Sequence, residues 1–191
     1  MQIFPTTLPD VKRVRLTRQV DDRGWFMETW RSDHAAAQGI DAAFVQDNAA
    51  CSARAGTVRG LHYQEAPAAQ GKLVRVVRGA IWDVAVDLRA GSPTRGHWVA
   101  VCLDAAAGES LWVPPGFAHG YCTLVDDTEV AYKVTALHAP DLERGIAWDD
   151  PDLALPWPVA REAAIVSARD RELPRWASLA AAGIPPRDPV R

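Results

Sequence analysis

The central stretch of the chain reads Lys72-Leu-Val-Arg-Val-Val-Arg78, Gly79, then Ala80-Ile-Trp-Asp-Val-Ala-Val-Asp87. Both runs are rich in β-branched residues and have the length of ordinary strands, so each predicts a β-strand. In the second run, alternate residues point to opposite faces, and one face carries two acids, Asp83 and Asp87. A barrel whose interior is polar on one side can hold a small-molecule site, and the alternative is that these acids belong to the structure of the barrel.

Four further runs of strand type follow at intervals of about ten residues, with Gly, Pro and Asp between them. They cover residues 96–103, Glu109–Val113, 120–125 and Thr128–Val134. We interpret the last two as a hairpin that turns at Asp126-Asp127. Short strands with such turns are typical of antiparallel sandwiches and barrels, so the sequence predicts an all-β fold.

Helical patterns are scarce and short. The clearest covers residues 31–39, where Ser32 is the candidate N-cap and Gly39 the stop signal. Residues 169–183 are compatible with one or two further short helices, and residues 184–191 read as a frayed tail. We therefore expect a barrel domain over residues 1–170, followed by a helical and frayed C-terminal tail over residues 171–191.

Composition and charge argue against several classes of protein. The 191 residues carry a net charge of −3 and no basic run, which argues against nucleic-acid binding. No apolar stretch approaches the roughly 20 residues that span a bilayer, and the first residues do not resemble a signal peptide. Three scattered cysteines without a CxxC spacing indicate a reducing compartment. We expect a soluble, cytoplasmic protein without membrane or nucleic-acid partners.

Polar clusters interrupt the strand pattern and hold the candidate chemistry. They are residues 22–28, 46–48, 59–64, 70–72 and 114–120, with 132–133 and 167–170 downstream. His62 is the candidate general base because an imidazole titrates near neutral pH, although a structural histidine is the alternative. Tyr132 is a candidate acid, although a tyrosine in a strand also suits a core. Asp170 and Asp83 are carboxylates that can orient an imidazole and favour its charged form.

The histidine pattern does not favour a metal site. Cupin-type barrels bind metal through a His-x-His pair and a later histidine that follows Pro-x-Gly. Here the first motif is His62-Tyr-Gln64, with a single imidazole, and the later histidine is His119. Two histidines and an amide form a poor ligand set for zinc or iron, so we expect no metal.

Arg59 and Lys72 are the natural binders of an anion such as phosphate. Arginine offers a two-pronged fork and lysine a point charge, and both residues fall beside the candidate base. Lys72 is one of only three lysines in the chain and begins a strand. Arg23 is a third candidate, although a solvated surface arginine is the ordinary alternative.

Taken together, these motifs resemble the dTDP-4-dehydrorhamnose 3,5-epimerase family in both order and spacing, from about residue 21 to residue 170. The matching segments are Asp22-Arg-Gly-x-Phe-x-Glu28, Gln46-x-Asn48, Arg59-Gly-Leu-His-Tyr-Gln64, Lys72, Asp83-Val-Ala-Val-Asp-Leu-Arg-x-Gly-Ser-Pro93, Pro115-Gly-Phe-Ala-His-Gly120, Tyr132-Lys133, Trp148-Asp-Asp-Pro151 and Ser167-x-x-Asp170. Each segment is weak alone, but the ordered set is highly specific.

The resemblance implies an antiparallel, cupin-like (jelly-roll) barrel with short peripheral helices that works as a homodimer without metal or redox cofactor. The substrate would be a dTDP-4-keto-6-deoxy sugar, inverted at the carbons beside its C4 ketone. His62 would be the base, supported by Asp170, and Tyr132 the acid on the opposite face. Lys72 would stabilise the enolate oxygen, and Arg59 would hold the diphosphate.

The resemblance also implies a set of substrate-binding residues. Arg23, Phe26 and Glu28 would help bind the nucleotide across the dimer. Gln46 and Asn48 would contribute to substrate binding. His119 would sit in the pocket as a polar supporting residue, and we expect Asp83 to be its partner.

One stretch departs from the family pattern Tyr-Lys-x-x-x-Tyr-Tyr-x-Pro. Leu137 and His138 stand where that pattern has two tyrosines, the second of which lies near the bound nucleotide sugar. We count His138 among the substrate-binding residues for this reason. The change leaves open inversion at one carbon only, or a 3,4-ketoisomerase reaction on a related sugar. A metal-binding cupin is the remaining alternative.

Overall fold

A computed structural model of the chain describes residues 1–180, which form fourteen strands and three short α-helices. The strands are β1 Gln2–Pro5, β2 Lys12–Arg15, β3 Arg18–Asp21, β4 Gly24–Met27, β5 Gln46–Ser52, β6 Thr57–Gln64, β7 Lys72–Arg78, β8 Ala80–Asp87, β9 Trp98–Asp104, β10 Glu109–Val113, β11 Phe117–Thr123, β12 Thr128–Val134, β13 Glu143–Gly145 and β14 Ile165–Val166. The helices are α1 Ser32–Ala37, α2 Ala168–Arg171 and α3 Trp176–Ala180.

Most strands belong to two antiparallel sheets. The first has the order β1-β2-β10-β7-β12-β5 and the second the order β13-β6-β11-β8-β9, with β14 pairing in parallel with β6. From β9 to β12 the chain alternates between the sheets at every strand, as a jelly-roll barrel requires. The predicted all-β, cupin-like class with short peripheral helices is therefore confirmed.

The hydrophobic core lies between the two sheets. Val74 and Val76 of the first sheet and Ile81 and Ala85 of the second are all buried in one cluster. Since Ile81 and Ala85 alternate with Asp83 and Asp87, the acid-bearing face of β8 points inward, as its sequence suggests. Both aspartates are completely buried, so each needs a polar partner.

The predicted hairpin at Asp126-Asp127 is wrong. The two strands on either side of it, β11 and β12, belong to different sheets, and the turn carries the chain from one sheet to the other. Periodicity identifies a strand, but it does not identify the neighbour with which that strand pairs. The partners of β12 are instead β5 and β7.

Two of the polar clusters lie inside strands, whereas we expected all of them to interrupt the strand pattern. The clusters at 46–48 and 59–64 lie inside β5 and β6. One face of each strand borders a cavity instead of the packed core, so polar side chains are tolerated there. Strand β11 also begins earlier than the predicted 120–125, and β1 to β6, β13 and β14 were not predicted from the sequence.

The helical predictions hold with small changes. Helix α1 ends before Gly39 as predicted, but its N-cap is Arg31 instead of Ser32, without a side-chain capping bond. Helices α2 and α3 fall close to the predicted stretch, and buried Trp176 packs on the second sheet. The division at residue 170 stays a prediction, and residues 181–191 lie outside the described residues. No described helix is long and apolar enough to cross a membrane.

Two valines of β7 test the position of the core. Val74 is fully buried, whereas Val77 is 46% exposed. We expect Val74→Ala to lower the free energy of unfolding by about 2 kcal/mol, because it removes buried methyl groups and leaves a cavity. Val77→Ala should change it by less than about 0.5 kcal/mol. Urea denaturation of both variants checks this, and equal losses would contradict the assigned core.

Candidate active site

Two adjoining cavities lie between the sheets, with volumes of about 550 and 250 Å³. Four side chains line both cavities: His62, Lys72, Tyr132 and Glu143. The larger cavity is also lined by Arg59, His119, Tyr121, Ser167, Arg169 and Asp170. The smaller cavity is also lined by Gln46, Asn48, Tyr63, Gln64, Gln70 and His138. The shared residues come from strands of both sheets, so the site spans the interior of the barrel.

His62, on β6, is held by Asp170 of α2. Its Nε2 lies 2.7 Å from Asp170 Oδ1, and the other carboxylate oxygen accepts from the backbone N–H of Gly60 at 3.2 Å. Burial alone would raise the pKa of Asp170, but its hydrogen bonds, with His62 foremost, lower it below the ordinary value. An ionised carboxylate can only accept, so Nε2 is the donor and Nδ1 of neutral His62 is available as a base.

Lys72 enters the site from the opposite sheet. Its side chain is almost completely buried, and Nζ donates to the backbone oxygen of His62 at 3.2 Å. Burial lowers the pKa of Lys72 to about 8, although the carboxylates of Glu143 and Asp83 act in the opposite direction. A cation that is costly to bury is therefore kept next to the candidate base.

Tyr132, on β12, also belongs to the sheet opposite His62. Burial raises its pKa above the ordinary value, Glu143 adds to this, and nearby Arg59 partly offsets it. The phenol therefore keeps its proton at neutral pH and can act as an acid. Base and acid thus come from opposite walls of the cavity.

His119 and Asp83 form a second pair of imidazole and carboxylate, as we expected. The distance from Nε2 of His119 to Oδ1 of Asp83 is 2.6 Å, and both residues are buried. His119 is the cross-strand neighbour of His62 on β11. Within residues 1–180, no group of three or more His, Cys, Asp or Glu side chains is arranged to hold a metal ion.

The predicted binding residues on β5 and β6 also reach the cavities. Arg59 donates from Nε to Ser52 Oγ at 3.2 Å and from a terminal nitrogen to the Cys51 carbonyl at 3.0 Å. Gln46 donates to the Asn48 side-chain oxygen at 2.8 Å and accepts from the backbone N–H of His138 at 3.0 Å. These contacts hold the side chains of Arg59, Gln46 and Asn48 in place in the walls of the two cavities.

Arg23, Phe26 and Glu28 are not brought to these cavities. They lie on or next to the β3–β4 hairpin, whose strands pair only with each other within the described chain. The side chain of Arg23 is 89% exposed and pairs with Asp21, and Phe26 is 67% exposed. In a single chain these residues are therefore separate from the site.

Several lining residues carry no strong signal in the sequence. Glu143 is an isolated acid after a loop, and Tyr121 resembles a core residue of a strand. Arg169 could have been selected from the sequence, because it lies inside the Ser167-x-x-Asp170 motif. Gln64 and Gln70 belong to the polar clusters at 59–64 and 70–72, but the sequence assigns them no role. Strand pairing places Glu143 opposite Gln64 of β6, whereas Arg169 is carried by helix α2.

The buried lysine gives a direct test of this geometry. Lys72 should lose its proton with a midpoint near pH 8, so that it is charged below this pH and neutral above it. The chain has only three lysines, so Cε signals in carbon NMR can be followed individually with pH. The Lys72→Arg variant should lack the signal that titrates near pH 8. No such signal in the unmodified protein would contradict the burial of Lys72.

Comparison with known proteins finds relatives in a single family. The family model for dTDP-4-dehydrorhamnose 3,5-epimerase matches residues 5–178. An enzyme of that name from Sinorhizobium fredii is 50% identical over 152 residues, which are 80% of this chain and 78% of the relative.

Solved structures give the same result. The dTDP-4-dehydrorhamnose 3,5-epimerase of Bacillus anthracis, with TDP and PPi bound, is 45% identical with a TM-score of 0.88, covering 91% of this chain and 98% of that one. The dTDP-6-deoxy-D-glucose-3,5-epimerase of Legionella pneumophila, in complex with dTDP-4-keto-L-rhamnose, is 38% identical with a TM-score of 0.88 and covers 99% of both chains. The chain therefore belongs to the dTDP-4-dehydrorhamnose 3,5-epimerase family of isomerases.

Proposed function

We propose that His62, Tyr132, Lys72 and Asp170 carry out the epimerisation of dTDP-4-keto-6-deoxy-D-glucose at C3 and C5, which gives the precursor of dTDP-L-rhamnose. The observation that carries this assignment is the position of His62 and Tyr132 on opposite walls of one cavity, with Lys72 between the sheets. Inversion at carbon needs a base on one face and an acid on the other, and this pair meets that requirement.

The chemistry proceeds by transfer of protons. His62 Nδ1 takes the proton from the carbon beside the C4 ketone, and the electron pair of the C–H bond moves to the ketone oxygen as an enolate. The ammonium of Lys72 stabilises that oxygen, because preorganised charge in a site with little water is effective there. Tyr132 then donates its proton to the opposite face of the carbon. Exchange with water restores His62 and Tyr132 before the second carbon reacts.

Asp170 supports this cycle through the charge of His62. An ionised carboxylate 2.7 Å from Nε2 favours the imidazolium that forms when the proton is taken. The reaction moves protons and no hydride, so none of its steps calls for a redox cofactor. Arg59 binds the diphosphate, Gln46, Asn48 and His138 line the binding cavity beside it, and the pair of His119 and Asp83 supports the sugar pocket.

We also propose that a homodimer completes the nucleotide site. The β3–β4 hairpin exposes Val20, Trp25 and Phe26, with exposed fractions of 79%, 57% and 67%. Exposed apolar groups on a hairpin that pairs with neither main sheet favour docking against a second copy of the chain. Arg23, Phe26 and Glu28 of one subunit would then reach the cavity of the other. A cytoplasmic location fits the three free cysteines.

A single-carbon epimerase is the second candidate, because Leu137 and His138 stand where the family pattern has tyrosines. Leu137 is 65% exposed, and the His138 imidazole is bound to Glu143 at 3.0 Å. The stereochemistry of the product separates this candidate from the double epimerase.

Removal of the base or the acid should abolish turnover without unfolding the protein. His62→Asn and Tyr132→Phe are each expected to lower kcat by about 10²- to 10⁴-fold, the usual contribution of a positioned base or acid. His34→Asn, on the exposed surface of α1, serves as the control and should have normal activity. Full activity of both site variants would exclude the assigned roles.

Mixed dimers test whether the hairpin acts across subunits. We expect an Arg23→Ala/Phe26→Ala variant and a His62→Asn variant to be weak alone, since one lacks nucleotide contacts and the other the base. A co-expressed mixed dimer should regain activity, because one of its sites combines an intact His62 with an intact partner hairpin. If the hairpin serves its own subunit, no site is intact and the mixture stays inactive.

A further inference from the structure

Glu143 is an acid at the centre of a site that must bind an anion. It begins β13, lies opposite Gln64 of β6, and lines both cavities with a side chain only 16% exposed. A carboxylate so close to a diphosphate would oppose binding by like-charge repulsion. Its presence there needs a compensating role.

Two donors meet at one oxygen of Glu143. Nε2 of His138 lies 3.0 Å from Oε2, and a terminal nitrogen of Arg169 lies 2.8 Å from the same atom. Burial alone would raise the pKa of Glu143, but the hydrogen bonds from His138 and Arg169 lower it below the ordinary value. Glu143 is therefore ionised and acts as an acceptor for both neighbours.

The two donors, Arg169 and His138, line different cavities. Arg169 precedes Asp170 and lines the larger cavity with Arg59, whereas His138 lines the smaller one. Among residues 1–180, Glu143 is the only carboxylate within ion-pair distance of Arg169. The Arg169 side chain is 60% exposed, so without this contact a long, flexible guanidinium would have no fixed direction.

We propose that Glu143 is a positioning residue that holds Arg169 over the larger cavity and His138 along the smaller one, so that Arg169 joins Arg59 in binding the diphosphate. The inference rests on the proposed function. One bond to Oε2 leaves four of the five guanidinium N–H groups of Arg169 for phosphate oxygens. The negative charge of Glu143 thus contributes to anion binding by orienting a cation.

The Glu143→Gln variant shows whether Glu143 positions Arg169 or only repels the substrate through its negative charge. If Glu143 only repels the substrate, removal of its charge lowers KM. If it positions Arg169, KM for the dTDP-keto sugar rises on the order of 5- to 10-fold, the effect of one lost charged hydrogen bond, while kcat changes little. The control is Glu65→Gln, since Glu65 also pairs with an arginine, Arg144 at 3.0 Å, but lines neither cavity.

A double-mutant cycle shows whether the effect passes through Arg169. Arg169→Gln alone should raise KM at least as much as Glu143→Gln, and adding Glu143→Gln to it should have little further effect. Independent, additive effects of the two substitutions, or a fall in KM for Glu143→Gln, would overturn the proposal. Because Arg169 is largely exposed, its variant tests the pair even if Glu143→Gln fails to fold.

Binding of dTDP alone, measured by calorimetry, distinguishes failure of this inference from failure of the proposed function. If the unmodified protein binds dTDP and turns over the sugar, but Glu143→Gln and Arg169→Gln bind dTDP equally well, only the positioning role is wrong. If the unmodified protein shows neither binding nor turnover, the proposed function is wrong, and the inference falls with it.

Discussion

The hydrogen bond between His62 Nε2 and Asp170 Oδ1 connects strand β6 of the barrel to helix α2, and the other lining residues surround this pair. Ser167 caps α2 by accepting from the Asp170 N–H, and β14, just before this helix, runs parallel to β6, which brings α2 close to His62. The same bond fixes which imidazole nitrogen can take a proton. Arg169, the residue before Asp170, lies on the same short helix and lines the larger cavity.

The candidate site residues come from both sheets. The second sheet supplies His62, His119 and Asp83, whereas the first supplies Lys72 and Tyr132. A jelly roll normally fills its interior with apolar side chains, and here the interior is apolar only in part. Three acids of the site have side-chain partners: Asp170 pairs with His62, Asp83 with His119, and Glu143 with His138 and Arg169.

The sequence predicts the strands better than it predicts their pairing. β7, β8, β10 and β12 have the predicted bounds, because alternation and turn residues are local properties. The turn at Asp126-Asp127 looks like a hairpin locally, yet it connects two sheets. Local patterns carry no information on which sheet receives a strand, and this choice depends on packing across the whole barrel.

Local sequence patterns likewise predict only part of the candidate site. His62, Lys72 and Tyr132 could be selected because their motifs match a family in order and spacing. Glu143 and Tyr121 could not, because nothing in their local sequence separates them from an ordinary loop acid or core aromatic. The hairpin residues Arg23 and Phe26 belong to a matched motif, but one described chain does not bring them to the cavity. In the homodimer that we propose, a second subunit would bring them there.

The most direct test of the central claim is proton NMR of dTDP-4-keto-6-deoxy-D-glucose incubated with the enzyme in D₂O. Abstraction by His62 and return of a solvent-derived proton from Tyr132 predict deuterium at both C3 and C5, with inversion at both carbons. Deuterium at one carbon only would contradict the double epimerisation. No exchange at either carbon, with folded protein and bound nucleotide, would contradict the assignment of His62 and Tyr132 as base and acid.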